Sequence, residues 1–142
     1  MTTTVSGTRT MEGRRDRLPI GLGLLELFIA ANALWGGVML MADAWRMPTD
    51  WLRHSPFDDW FLPGLALIVL IGGSQLVAAV ALLIRRRWAR TASLLAGIGL
   101  IGWIVVQLAW LRIVHPVMQP TLFAAGCLIT VLAIRLPRAG RP

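Results

Sequence analysis

At 142 residues, 56% of them hydrophobic and with a mean hydropathy of +0.68, the chain has room for one domain and more apolar surface than a soluble domain of this size can cover. A net charge of +7 would point to nucleic acid in a soluble protein, but all 14 basic residues are arginines clustered beside apolar runs. That is the pattern that orients membrane spans, so nucleic acid is excluded as the partner the charge serves.

Residues 1–17 carry Thr, Gly and Arg without an apolar period, and a flexible basic cytoplasmic tail is expected there. An Arg-rich head before an apolar run also has the form of a secretory signal, with Ala31-Asn32-Ala33 as a small-x-small cleavage site. Apolar sequence continues to Ala42, however, and a retained helix is expected. The first span is placed at 18–42, with Pro19 in its first turn, where a missing N–H costs nothing.

The connection 43–61 holds Asp43, Asp50, Asp58 and Asp59 among Trp45, Trp51, Phe57, Trp60 and Phe61. Ser55-Pro56-Phe57-Asp58 reads as a helix start, with Ser55 as N-cap and Pro56 at the first helical position. A short interfacial helix is therefore expected over 56–62, with the aromatic rings at headgroup depth. Further spans are expected at 62–84, 91–114 and 118–134, the last being the shortest. No run alternates as a barrel strand would, and backbone in lipid must satisfy its own hydrogen bonds, so all four are helices. The expected fold class is all-α: a four-helix transmembrane bundle over 18–136, with a short interfacial helix in the first extracytoplasmic loop and a basic tail at 137–142.

With four spans the connections alternate between sides. Arg46, Arg53 and Arg112 fall on one side and the other eleven arginines on the opposite one. Both termini are therefore expected in the cytoplasm, with the chain crossing the cell inner (plasma) membrane several times.

Glu26 is the one carboxylate inside a span. A charge left unpaired in hydrocarbon costs several kcal/mol, so this group should face the bundle interior. Ala30, Ala33 and Gly37 share its face at helical spacing, a small-residue stripe that admits a neighbouring helix. Its candidate partners are Gln75, Trp103 and Gln107, or an arginine at the cytoplasmic edge. In the third span Ala92, Ala96, Gly99, Trp103, Gln107 and Trp110 form one stripe, small at one end and aromatic and polar at the other. In the second, Gly72-Gly73-Ser74-Gln75 marks close helix contact, with an unwound ion-binding segment as the sharper alternative. The candidate intramembrane polar site is thus Glu26, Gln75, Trp103 and Gln107.

Other motifs carry less. Gly97-Ile98-Gly99-Leu100-Ile101-Gly102 has the letters of a dinucleotide loop, but it lies within an apolar helix and no acidic residue follows it. His54 and His115 lack the spacing of a metal site, and Cys127 lies in an apolar run where a thiol acts as a small hydrophobe. No catalytic residue, metal or cofactor is expected.

Glu26 with Trp35-Gly36-Gly37, Ser55-Pro56-Phe57, Pro63-Gly64, Gly72, and Trp103-Ile104 with Gln107 resembles a group of small four-helix bacterial integral membrane proteins. The resemblance implies the four-span fold and brings no activity, substrate or cofactor with it. A single Glu in the first of four helices is also similar to the small multidrug resistance transporters, which would make Glu26 a shared proton and substrate site of a dimer. The long first connection, the short fourth span and the absence of Tyr depart from that family.

The expectation is a non-enzymatic inner-membrane protein acting through contacts with a second copy, with anionic lipid headgroups at its Arg-rich face, or with a larger complex. The alternative is a small proton-coupled carrier or ligand-binding membrane protein centred on Glu26 and the Trp103/Gln107 stripe. The charge asymmetry makes a topological prediction: a C-terminal fusion to a reporter that matures only in the cytoplasm should be active. A fusion to one that works only outside should be silent, and the reverse pattern would overturn the orientation.

Overall fold

The computed structural model describes the backbone of residues 6–111 and 116–137, and side chains over 17–110 and 116–137. Four helices carry the fold among these residues. They are α1 (Ser6–Met41), α2 (Phe61–Leu83), α3 (Ala89–Leu111) and α4 (Met118–Arg135). All four are long and apolar enough to cross a membrane, over Arg17–Met41, Phe61–Leu83, Ala89–Trp110 and Met118–Arg135. Between 22% and 39% of the most apolar part of each span is buried within the chain, and every span also carries exposed apolar side chains, among them Phe28, Val69, Leu95 and Ile134.

The first helix corrects one expected boundary. It starts at Ser6 rather than near residue 18, and Pro19 sits inside it. Within residues 11–18 Met, Glu, Leu and three Arg are good helix formers, whereas the Ser, Gly and Thr of 6–10 are not, and Pro19 removes one backbone bond and crowds the turn before it. Residues 1–5 and 138–142 of the two expected tails, together with Arg112 and His115, lie outside the described residues.

Both ends of the α1–α2 hairpin use the same stop. At the end of α1 the Asp43 N–H donates to Leu40 O (3.1 Å) and the Ala44 N–H to Met39 O (3.1 Å), with Asp43 at φ 49°. At the end of α2 the Arg85 N–H donates to Leu82 O (3.1 Å) and the Arg86 N–H to Ala81 O (2.8 Å), with Arg85 at φ 54°. These are Schellman stops with a non-glycine in the left-handed position, where Asp is at home and Arg is strained. The end of α4 is satisfied from another helix, because Arg90 donates Nε to Ala133 O (3.2 Å) and Nη2 to Ile134 O (3.4 Å). An arginine read only as an orientation signal therefore caps a helix and ties α3 to α4.

The first connection does contain a short helical element, but it is the 3-10 turn Thr49–Leu52, upstream of the expected 56–62. Ser55 does not start a helix. Its hydroxyl donates to Leu52 O (2.9 Å) and accepts from the Phe57 N–H (3.4 Å), closing the turn behind it. The start of α2 is held instead by Asp59, which accepts the Phe61 N–H (3.0 Å). Not all the aromatics face outward: Trp60 is buried and donates Nε1 to Met47 O (3.2 Å), and Phe57 meets Trp110 edge to face with centroids 5.7 Å apart. With Leu52 also buried, the loop folds onto the end of α3 as a small satellite core.

Within α2, Leu67–Gly72 is a π-helical segment between two α-helical parts. The Gly72-Gly73 region is therefore widened rather than unwound. The widening lies where α1 and α2 are closest. A Cβ on Gly37 would collide with Ile68 Cγ1 and come within 2.7 Å of Gly64 O, and a Cβ on Gly64 would come within 2.7 Å of Gly37 O. A second close crossing joins α3 and α4, where a Cβ on Gly97 would meet Thr130 and one on Gly126 would meet Ile101 and Gly97 O. Around these crossings Leu22, Ile29, Ile71, Leu82, Leu100 and Ile129 make the apolar core.

Gly37→Ala should cost about 1–3 kcal/mol, because the opposing atom is a backbone carbonyl that no rotamer change can move. Gly102→Ala, where nothing lies within 4 Å, should stay within about 0.5 kcal/mol. Thermal unfolding of both variants in one detergent checks the difference, and equal loss would contradict the crossing.

Candidate functional site

The register of the helices decides which polar groups meet. Gly23 of α1 packs against Ala79 and Leu83, and Gly72 of α2 packs against Ala33 and Leu34. The two helices therefore run antiparallel, and Glu26 falls between these crossings, facing the part of α2 that buries Gln75, Ala78 and Ala79. Gln75 Nε2 donates to Ala96 O of α3 at 3.2 Å, which ties this part of α2 to α3. Ser93, one turn before Ala96, is the α3 side chain that faces the Glu26 carboxyl.

Three helices thus contribute one polar side chain each to a common interior, and Glu26, Gln75 and Ser93 are all 0% exposed. The face expected for Glu26 is the buried one, since Ala30 and Ala33 are buried with it. The hydrogen bonds expected for the carboxyl are not made. Glu26 Oε1 and Oε2, Gln75 Oε1 and Ser93 Oγ have no hydrogen-bond partner among the described residues. Ser93 stands close to the carboxyl without reaching hydrogen-bond geometry. Among the described residues no arginine serves as counter-ion either: Arg90 is engaged by the α4 carbonyls, and α2 carries no charged residue.

Trp103 and Gln107 do not join this cluster. Both lie on α3, about 15 Å and 21 Å beyond Ser93 at 1.5 Å per residue. They are half-buried at the end where Phe57 and Trp110 meet, and Trp103 packs against the apolar core. The expected stripe on α3 is also rotated. Gly99 meets nothing, whereas Ala89, Ser93, Ala96, Leu100 and Ile104 form the buried face. Ser93 was legible only through that face: it is the polar member of an i, i+4, i+7, i+11 set of small and aliphatic residues.

The chemistry this interior offers is that of hard oxygen atoms, with one ionisable group among them. No group of three or more His, Cys, Asp or Glu occurs among the described residues. His54 is exposed in the first connection. The described residues also form an outward-facing groove of about 340 Å³ between α2 and α3, lined by Ser74, Val77, Trp88, Thr91, Ala92 and Leu95. Glu26 is not among its lining residues.

Fold and interior together define an all-α bundle of four membrane-spanning helices with a buried carboxyl between three of them. In comparisons with known proteins, no protein-family model, no curated protein sequence and no solved structure matches this chain.

If Glu26 and Ser93 act on one another across the α1–α3 interface, their substitutions must be non-additive. A double-mutant cycle of Glu26→Gln and Ser93→Ala should show coupling of at least about 0.5 kcal/mol in unfolding free energy. The pair Glu26→Gln and Thr121→Ala, on separate helices without a shared partner, should add within about 0.5 kcal/mol. Additivity in both cycles would remove Ser93 from the cluster.

Proposed function

We propose that the chain is a non-enzymatic multi-pass protein of a bacterial inner membrane, with both ends cytoplasmic, that acts through contacts of its helices. The partners are a second copy, lipid or a larger membrane complex. The observation that carries this reading is the enclosure of the polar interior. Glu26, Gln75 and Ser93 have no exposed surface through which a substrate would reach them, while every span presents apolar side chains outward. Anionic headgroups at the Arg85–Arg87 turn fit the same reading, each arginine near the surface contributing about 1 kcal/mol of attraction.

A second reading, a small proton-coupled carrier, is favoured by one specific feature. Four oxygen atoms of the cluster lack partners, and a π-helical segment adjoins it in α2. Intramembrane carboxyls and π-segments both occur at working sites. In such a carrier Glu26 would take up and release the coupling proton, and binding of a cationic substrate would compete with it.

One substitution separates the two readings. Glu26→Gln keeps the shape of the side chain and removes its ionisation. The contact-based reading expects no pH-dependent binding of a lipophilic cation such as tetraphenylphosphonium to the wild type across neutral pH. It also expects the Glu26→Gln protein to keep the wild-type fold and partners. Binding that varies with pH in the wild type and is lost in Glu26→Gln would replace it with the carrier.

A further inference from the structure

Small residues leave a groove of about 340 Å³ on the outside of the bundle where α2 and α3 pass one another. Ala96 is buried and Ala92 and Ser74 are half-buried within it, while Val77, Trp88 and Leu95 stand exposed along it. The hydrogen bond from Gln75 to the Ala96 carbonyl fixes the register, so Ser74 and Ala96 share one end of the groove and Trp88 marks the other. Eight residues separate Trp88 from Ala96, about 12 Å at 1.5 Å per residue. At the Ala96 end Ser74 donates its hydroxyl to Ile71 O of its own helix (3.2 Å), which leaves no free O–H there for an occupant.

The Trp88 end is charged. Arg86 and Arg87 immediately precede Trp88, both are exposed, and neither side chain has an ion pair or hydrogen bond among the described residues. The turn that carries them is pinned on both sides, because the Arg86 N–H donates to Ala81 O (2.8 Å) and the Ala89 N–H donates to Arg86 O (3.1 Å). Arg90 differs from them in being committed to the α4 carbonyls. The positive end of α3 opens at the same place, with no acidic residue in its first turn. By sequence this end of the bundle carries eleven arginines against two acids, Glu12 and Asp16, and no acidic residue follows Asp59.

Length and charge together select the occupant. One leaflet's share of a hydrocarbon core of roughly 30 Å is roughly 15 Å, and a groove of about 12 Å running inward from an interfacial tryptophan takes up most of it. That is the course of a single acyl chain. Arginines directly at its mouth match a phosphodiester, whose oxygens they can hold through paired N–H···O bonds. We propose that the α2–α3 groove binds one anionic glycerophospholipid, with an acyl chain lying along Ala92 and Ala96 and the phosphate held by Arg86 and Arg87. A zwitterionic lipid would bring its own cation to the same arginines, so the site selects a headgroup with net negative charge. The inference rests on the contact-based reading, and it replaces a general attraction along the basic rim with a built site for one lipid.

Native mass spectrometry of the full chain, released from detergent containing equal amounts of phosphatidylglycerol and phosphatidylcholine with identical acyl chains, counts the lipids retained. The wild type should keep one phosphatidylglycerol, preferred about tenfold over phosphatidylcholine. Arg86→Gln combined with Arg87→Gln should lower that preference to about twofold or less. Arg14→Gln combined with Arg15→Gln removes the same charge at the same end of the bundle and should leave the preference unchanged. Because Arg86 and Arg87 hold no other helix through their side chains, circular dichroism and unfolding of their double variant should match the wild type. In vesicles of phosphatidylglycerol and phosphatidylcholine, a phosphatidylglycerol bearing a diazirine in its acyl chain should label the wild type within residues 88–96. A wild type without headgroup preference, equal losses in the two double variants, or label spread evenly over the four spans would each overturn the proposal. Any of these would leave a second copy or a larger complex as the partner, and none bears on the Glu26→Gln binding experiment, so the two readings fail separately.

Discussion

The bundle depends on how closely its helices approach at two glycine crossings. At Gly37 and Gly64 the backbones of α1 and α2 come so near that neither position has room for a methyl group, and Gly97 with Gly126 does the same for α3 and α4. In a bilayer there is little hydrophobic drive between helices, since lipid is as apolar as the side chains it replaces, so packing at small residues carries the association. Everything polar inside follows from that spacing. Helices held farther apart would leave Glu26 facing lipid, whereas here α2 and α3 close over it with Ala78, Ala79 and Ser93.

The cost of this closeness appears in the backbone of α2. Its α-helical hydrogen bonding gives way to the π form over Leu67–Gly72, the stretch that packs around the Gly37 crossing and ends at the glycine facing Leu34. A π-segment takes in one residue more per turn than its surroundings and so re-aims the side chains that follow. Gln75 is the first polar residue after Ser74 on the far side, and it points fully inward, reaching the Ala96 carbonyl of α3. Crossing, widening and inward glutamine are parts of one local arrangement.

Much of this architecture could be read from the amino acids, because bilayer thickness turns apolar length into a span with little ambiguity. The four spans lie within a few residues of their expected places, and the inward face of Glu26 follows from the small residues at i+4 and i+7. The details that escaped are those in which tertiary contacts outbid local signals. Ser55-Pro56 has the form of a helix start, yet its hydroxyl closes a 3-10 turn instead, and Asp59 holds the helix. The start of α1 at Ser6 has no signal in apolar period, and the Ser, Gly and Thr of residues 6–10 give it none in helix propensity. The stripe on α3 was drawn through its aromatics. The burial follows the small residues instead, and so Ser93 took the place assigned to Trp103 and Gln107.

The two polar residues in the 18–41 part of α1 meet the bilayer in opposite ways. Glu26 is taken out of lipid by the chain's own helices, and the small residues on its face are what allow them to come close enough to do so. Asn32, about two-thirds of a turn around from Glu26, has no helix of this chain over it and satisfies one N–H on its own backbone. A neutral carboxamide tolerates that exposure far better than a carboxylate would, because its desolvation cost is a few kcal/mol rather than that of an ion. The placement is therefore consistent with a division by charge. The group that must never face hydrocarbon is enclosed when the chain folds, and the neutral one stays exposed with one N–H held by its own helix.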